Sequence, residues 1–582
     1  MKRILTGTLI ALLLTACGSD TDQDRAAAEG ADLILINGRV YSMRWDDPAP
    51  DGALDEAAPR ERTWRPDASA VAIKGNSIVF VGETPEAMDL EAEATRVVDL
   101  AGATVVPGLV DSHTHVFGLG QTLERVDLKD VGTEEEAIAL VVERARETPA
   151  GEWIVGRGWD EGAWANRYPD KELLSQAVPD HPVYLGSLHG FAGWANQAAL
   201  DEAGITSATE VPVGGEIRLG ADGEPNGLFF NRAVPVIRNA VPAPSHEQLM
   251  QTALVGLQQM ATDGYVAVHD AGLDSAMMAA LEQLEAEDRL PIRVFGMLSL
   301  RDEDLMERWI PRGPDEDIDS MLVTRTVKAY YDGALGSRGA RLLYDYADMP
   351  GHRGISGEGY GFNEPLMAEA MKAGFQVAIH AIGDAGNREA LDIIERVYAE
   401  APETRRLRHR IEHAQVIHPD DIPRFAELNI IASMEPPHAV EDKTWAEDRL
   451  GPQRVLGAYA WRTLRENDVS ITFNSDNPGS DHNIFYGLHA AITRQDKQGQ
   501  PEGGWYPEQR VNADEAVRAY TSWSAYASGV ENETGVLEEG RWADVTVMDV
   551  DPFVLADEVP ADMLRGRILM TVVNGSVVHE AL

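Results

Sequence analysis

The chain has 582 residues, 44% hydrophobic and 25% charged, an ordinary globular composition on a length that calls for one large domain with accessories. Asp and Glu number 96 against 50 Lys and Arg, and the resulting charge of −46 repels phosphate backbones and excludes nucleic acid as a partner. The single cysteine, Cys17, excludes an internal disulfide.

Lys2 and Arg3 precede a mostly apolar run over residues 4–14, too short to span a bilayer, which reads as a processing signal. The following Leu14-Thr15-Ala16-Cys17 resembles a bacterial lipoprotein signal, cleaved before Cys17 and lipidated on it. The resemblance implies a signal peptide over 1–17, a lipid anchor at Cys17 and a place in the bacterial cell envelope. Gly18 and Ser19 give no inner-membrane retention signal, which favours the outer membrane facing the periplasm. A plain cleaved signal with an incidental Cys is the alternative. Polar residues 18–30 read as a tether.

Next, ADLILINGRVYSM reads as strand, Asn37-Gly38 turn, strand, and residues 44–66, rich in Asp, Pro, Ala and Arg, as a surface insertion. ASAVAIKGNSIVFVG repeats the hairpin logic around Gly75-Asn76, and ILMTVVNGSVVHE does so around Asn574-Gly575. Short antiparallel strands thus cluster at both termini with hardly any between. One composite β-sandwich over 31–106 and 530–582 is the economical reading; two unrelated hairpins is the other.

The middle, residues 107–529, alternates apolar strands with helical stretches. The strands are TVVPGLVDSHTH, YVAVHDAG, IRVFGMLSL, TVKAYYDGA, FQVAIHAIG, RHRIEHAQ, NIIASMEPPH and VSITFNSDNPG. Eight such units predict an α/β fold, a (β/α)₈ TIM-like barrel. The long gap after strand one predicts an inserted subdomain over about 120–250.

Active-site groups of such barrels lie at the C-terminal strand ends. Strand one ends in His113 and His115, which share a face because strand side chains alternate. The fourth strand carries Lys328, the fifth ends in His380, the sixth in His413 and the eighth in Asp476. Four imidazoles and a carboxylate suit Zn²⁺ or a similar ion. One ion would take His113, His115 and Asp476; a second would take His380 and His413. Lys328, carbamylated by CO₂, could bridge them, although spacing alone favours a snorkelling side chain or an ion pair.

The motifs PGLVDSHTH, GWDEGAW, HDAG, VKAYYDGALGSR, IHAIGDAGN, RIEHAQ, ASMEPPHA and NSDNPG keep one order from about residue 31 onward. In this the chain resembles the amidohydrolase superfamily, and within it the branch containing N-substituted formamide deformylases. Glu435, where relatives often have Gln, and Asn474, where Gly is common, depart from the pattern without removing a ligand.

The resemblance implies two divalent ions, Zn by preference, a CO₂-derived carbamate on Lys328, and Asp476 as the base that takes a proton from water and returns it to the leaving amine. The substrate would be a small-molecule amide, cleaved at a non-peptide carbon–nitrogen bond such as that of an N-formyl or N-acyl amine. A covalent acyl-enzyme lacks candidates, since G-x-S-x-G is absent and no thiol remains after Cys17.

Other residues carry weaker signals. The resemblance gives His189 a substrate-facing or oxyanion-polarising role, and a hydrogen-bonded loop histidine fits it equally. His269, Asp270 and His438 sit at strand ends as substrate contacts or supports for ligands. Arg338 could pair with a substrate carboxylate or form a loop salt bridge. Trp159, with Trp164 and Trp194, could wall a pocket or simply pack. Glu412 should point away from His413, across its strand. The rival readings are a mononuclear deaminase or cyclic-amide hydrolase on the same fold, and a non-catalytic ligand-binding lipoprotein.

Overall fold

A computed structural model describes residues 30–582 apart from Asp130, 161–163 and 165–167. The signal segment, Cys17 and the tether up to residue 29 lie outside the described residues. Among the described residues no helix is long and apolar enough to cross a membrane.

Eight parallel strands form one sheet: β1 (Leu109–Thr114), β2 (Tyr265–Leu273), β3 (Arg293–Ser299), β4 (Leu322–Tyr330), β5 (Gln376–Ala381), β6 (Arg410–His413), β7 (Ile431–Met434) and β8 (Ile471–Phe473). Neighbours pair in chain order from β1 to β8. The sheet curls until its edges meet. Ser112 Oγ donates to the Phe473 carbonyl at 2.9 Å, and the Asp476 N–H donates to the His113 carbonyl at 2.9 Å. The result is a nearly closed eight-stranded parallel barrel. Runs such as Val377-Ala378-Ile379 are apolar on both faces because helices cover the outside of a parallel sheet. The helix Asp384–Glu400 does so with Ala390, Leu391, Ile394 and Val397, one stripe at helical spacing.

Strands from both ends of the chain meet in one five-stranded sheet, ordered Arg39–Val40, Thr104–Pro107, Val545–Met548, Ile568–Val573 and Ser576–Glu580. A four-stranded sheet holds Leu33–Ile36, Ala70–Lys74, Ser77–Gly82 and Arg96–Asp99. Asn37-Gly38 is therefore not a hairpin turn. Leu33–Ile36 already has a strand on each edge, so the chain crosses at Asn37 (φ 55°) into the other sheet, where Arg39–Val40 pairs in parallel with Thr104–Pro107. Chain segment 44–66 is not a mere surface loop either. Trp45 and Trp64 are buried in the main core, and the Trp45 indole donates to Asp514 at 3.2 Å.

Antiparallel strands also occur between the termini. The insertion after β1 holds a six-stranded sheet from Val126–Asp127 to Pro225–Asn231, and three of its pairings are antiparallel. Its aromatic core hid this alternation, because Trp159, Trp164 and Trp194 pack on one another with centroid separations of 5.8 and 6.1 Å.

Candidate metal centre

The C-terminal ends of β1, β4, β5 and β6, with the turn after β8, deliver one cluster. Asp476 Oδ1 lies 3.2 Å from His115 Nε2 and 3.6 Å from His113 Nε2. One nitrogen from each histidine and one Asp476 oxygen lie within 4.8 Å of one another, a spacing that could hold a metal ion. Lys328 Nζ sits 2.9 Å from His113 Nε2. The His380 and His413 rings lie 4.4 Å apart, and His413 lies 5.2 Å from His113.

Two local backbone choices aim these side chains. His413 and Asp476 adopt left-handed φ values of 72° and 50°, so each turns out of the line of its strand at the rim. This overturns the expected orientation of Glu412. Alternation fails once His413 leaves extended geometry, and both residues reach the site: Glu412 from within the barrel against His113 Nδ1, His413 from the rim.

The electrostatics are those of buried groups. Burial lowers the Lys328 ammonium to a pKa of about 8, against the pull of Glu412 and Asp476. Burial also depresses His113 to about 4, helped by Lys328, and His380 well below the ordinary imidazole value, helped by His413 and Lys328. Burial would raise Asp476, but the hydrogen bond from His115 and the nearby histidines outweigh it and hold it well below the usual carboxylate range. Burial thus keeps His113 and His380 in the neutral imidazole form and brings Lys328 toward its neutral form, beside an ionised Asp476, the directions that metal ligation requires. His380 Nε2 is buried without a hydrogen-bond partner, 3.7 Å from Asp332 Oδ1, a donor free for an ion. The residues fit a divalent metal.

A second cluster adjoins the first. Glu435 Oε2 lies 3.1 Å from His413 Nδ1 and 3.3 Å from His438 Nδ1, and these three residues form another group with metal-ligand spacing. Glu435 outweighs burial and lifts His438 to about 9. The spacing Glu435-Pro436-Pro437-His438, i to i+3 at the start of a helix, was the sequence signal for this pairing.

Other candidates fall elsewhere. Asp270 lies beneath His115, its Oδ1 accepting from the Val116 N–H at 3.1 Å, while the neighbouring Ala271 carbonyl meets His115 Nδ1 at 2.8 Å. Burial raises Asp270 to about 7. His269, expected as a substrate contact or a support, is buried between Arg410, 2.6 Å from Nδ1, and Ser528, 2.7 Å from Nε2. Trp159 is fully buried, its indole donating to the Leu185 carbonyl at 3.0 Å, so it belongs to the insertion's core. Arg338 is engaged by Asp348 at 2.9 Å, the salt-bridge alternative. His189 is exposed in the turn between Val183–Ser187 and Ala192–Ala195 and makes none of the cluster's contacts.

Sequence reading did not anticipate Asp111, Asp332 or Arg410. Asp111 is fully buried and accepts from Ser475 Oγ at 2.6 Å, tying β1 to the Asp476 turn. Their interior positions follow from barrel closure, which one strand's sequence does not report.

The match to known proteins is extensive. A model of the amidohydrolase family matches residues 96–579. YtcJ of Bacillus subtilis is 32% identical over 496 residues, 84% of this chain and 91% of that protein. The N-substituted formamide deformylase of Arthrobacter pascens is 28% identical over 88% of this chain and 95% of its own length. The crystal structure of an uncharacterised metal-dependent hydrolase from Pyrococcus furiosus superposes with a TM-score of 0.69 at 26% identity, covering 90% of this chain and 99% of that one. With a histidine and carboxylate cluster at the barrel rim and a family match across most of its length, the chain belongs to the amidohydrolase family.

Proposed function

We propose that this protein hydrolyses a non-peptide amide of a small molecule, an N-formyl or N-acyl amine, using two divalent ions, Zn by preference. The observation that carries this reading is the convergence of His113, His115 and Asp476, with Lys328 Nζ 2.9 Å from His113 Nε2. The name of the Arthrobacter pascens relative, matched over most of both chains, supports the N-formyl class. His113, His115 and Asp476 would hold one ion, His380 and His413 the other, and Lys328 as a carbamate would bridge them. Bound metal supplies an activated water and a polarised carbonyl.

The chain's own part is proton handling and positioning. Asp476, kept ionised by the surrounding histidines, accepts the proton of the attacking water and delivers it to the departing nitrogen. Burial brings Lys328 toward its neutral form, and the free amine is the form that reaction with CO₂ requires. The resemblance of the leader to a lipoprotein signal supports an envelope location, with Cys17 as the anchor.

Elemental analysis of protein purified with bicarbonate tests the assignment. About two ions per chain, falling in Lys328→Ala, together with turnover of N-formyl amines, are expected. About one ion, indifferent to Lys328, would move the reading to a mononuclear enzyme, and none after reconstitution would end it.

A further inference from the structure

Behind His113 the structure holds a polar chain that proton handling by Asp476 does not use. Glu412 is fully buried, and one of its oxygens hydrogen-bonds His113 Nδ1. The same carboxylate receives Arg410, with Nε 2.8 Å from Oε1 and an NH2 contact of 3.1 Å to Oε2. Arg410 is itself fully buried and fixed by donations to the Ser112 carbonyl at 2.6 Å and to Ser433 Oγ at 2.9 Å. Its remaining terminal nitrogen lies 2.6 Å from His269 Nδ1, and His269 Nε2 lies 2.7 Å from Ser528 Oγ. The chain of contacts thus runs from the rim ligand through the barrel interior to the helix Ser522–Ser528 outside it.

A buried ion pair is costly to desolvate and is a weak device for stability alone. Here the pair does something more specific. An imidazole has two nitrogens, and the partner of one decides which face the other offers. With a carboxylate on Nδ1, His113 carries its proton there and presents a lone pair on Nε2, the nitrogen that faces Asp476 Oδ1 at 3.6 Å and Lys328 Nζ at 2.9 Å.

Resting on the metal-dependent reading above, we infer that Glu412 is the positioning residue of the centre: clamped by Arg410, it fixes the tautomer and ring orientation of His113 so that Nε2 is the metal ligand. His269 and Ser528, as the outer anchor of Arg410, serve that clamp and not the substrate. The hydrogen bonds of Glu412 go to His113 and Arg410, while its charge also draws on the Lys328 ammonium, so metal retention and the ligating atom of His113 test the clamp where turnover alone would not.

Two measurements decide this. Metal retained against a graded chelator series is compared between the unmodified protein and Glu412→Gln, both checked by circular dichroism. Loss of a carboxylate behind a ligating histidine weakens metal affinity by about 10- to 100-fold, and that loss is expected here with the fold retained. A folded E412Q protein that holds metal as tightly as the unmodified one overturns the inference and leaves the hydrolase reading standing; an unmodified protein that binds none overturns both. Should E412Q fail to fold, a crystal structure of the zinc-loaded unmodified protein gives the answer directly. Ligation through His113 Nε2 with Nδ1 on Glu412 is expected. Ligation through Nδ1, or coordination by Glu412 itself, overturns the inference.

Discussion

In the proposed reaction Asp476 would meet two demands at one carboxylate: to stay ionised in a buried site, and to release a proton once it has taken one. Its position 3.2 Å from His115 Nε2 meets the first demand. Replacing it by Asn would remove the proposed base and also weaken a proposed ligand, so turnover of an N-formyl amine by Asp476→Asn, measured by steady-state kinetics on protein whose metal content matches the unmodified one, is expected to fall by about 10²- to 10⁴-fold, the span that general-base groups supply; a fall under about tenfold would remove Asp476 from that role. Which residues were legible at this scale follows from what one strand can report. His113, His115, Lys328, His380, His413 and Asp476 stand at strand ends, where a polar group in an apolar run is conspicuous. Glu412 was misread because the positive φ of His413 breaks the alternation that sequence reasoning assumes. Arg338 was ambiguous because its partner, Asp348, lies ten residues away in the same loop. Trp159 looked like a pocket wall because spacing does not distinguish an aromatic lining from an aromatic core.

The loops after β4 and β5 are tied together by one carboxylate. Asp332, fully buried, accepts from the N–H groups of Ile382 at 2.9 Å, Gly383 at 2.9 Å and Arg341 at 2.8 Å. Gly383 belongs to the same knot, since a Cβ there would stand 1.9 Å from the Arg341 carbonyl oxygen. Asp332→Ala orphans two buried donors and a part-buried one, the buried ones at about 1–3 kcal/mol each, so a loss of at least about 2 kcal/mol is expected in urea unfolding; a loss under about 1 kcal/mol would show that the knot is held by something else. A second element-level effect is a pH dependence. His409, buried just before β6, accepts from the Val377 N–H at 3.0 Å, and burial lowers it to about 3. The unfolded chain binds a proton at His409 below about 6.5 while the folded chain does not, so stability present above that value is lost as pH falls from about 6.5 toward 3. Urea midpoints measured from pH 7 to pH 5 should fall, and His409→Asn, which keeps an acceptor for Val377, should shallow the slope by about one proton; an unchanged slope would exclude His409 as a contributor. Neither Asp332 nor His409 drew notice in the sequence, because each acts on backbone groups distant along the chain.

At the scale of the whole molecule, the barrel is held around most of its girth by backbone ladders, but its closure between β8 and β1 is of another kind. Seven neighbouring pairs from β1 to β8 share strand registers, whereas β8 and β1 meet through Ser112 with Thr472 Oγ1 at 3.0 Å, Asp111 with Ser475, and the His113 carbonyl with the Asp476 N–H. His113 and His115 stand on one side of this seam and Asp476 on the other, so an ion held by the three would link the two sides of the seam. The eight-unit rhythm and the ligand order were readable because each strand announces itself locally; the seam was not, because it joins residues more than 350 positions apart. A ligand that binds only the folded state adds about 4 kcal/mol at a free concentration a thousandfold above its Kd. Removing metal with a chelator is therefore expected to lower the thermal midpoint, and the accompanying rise in amide exchange should concentrate in β1 and in residues 471–477 while β3 and β4 stay protected. Re-addition of Zn²⁺ should reverse both. Uniform loss of protection around the barrel would mean that metal stabilises the fold as a whole, and no change at β1 would separate the seam from the metal centre altogether.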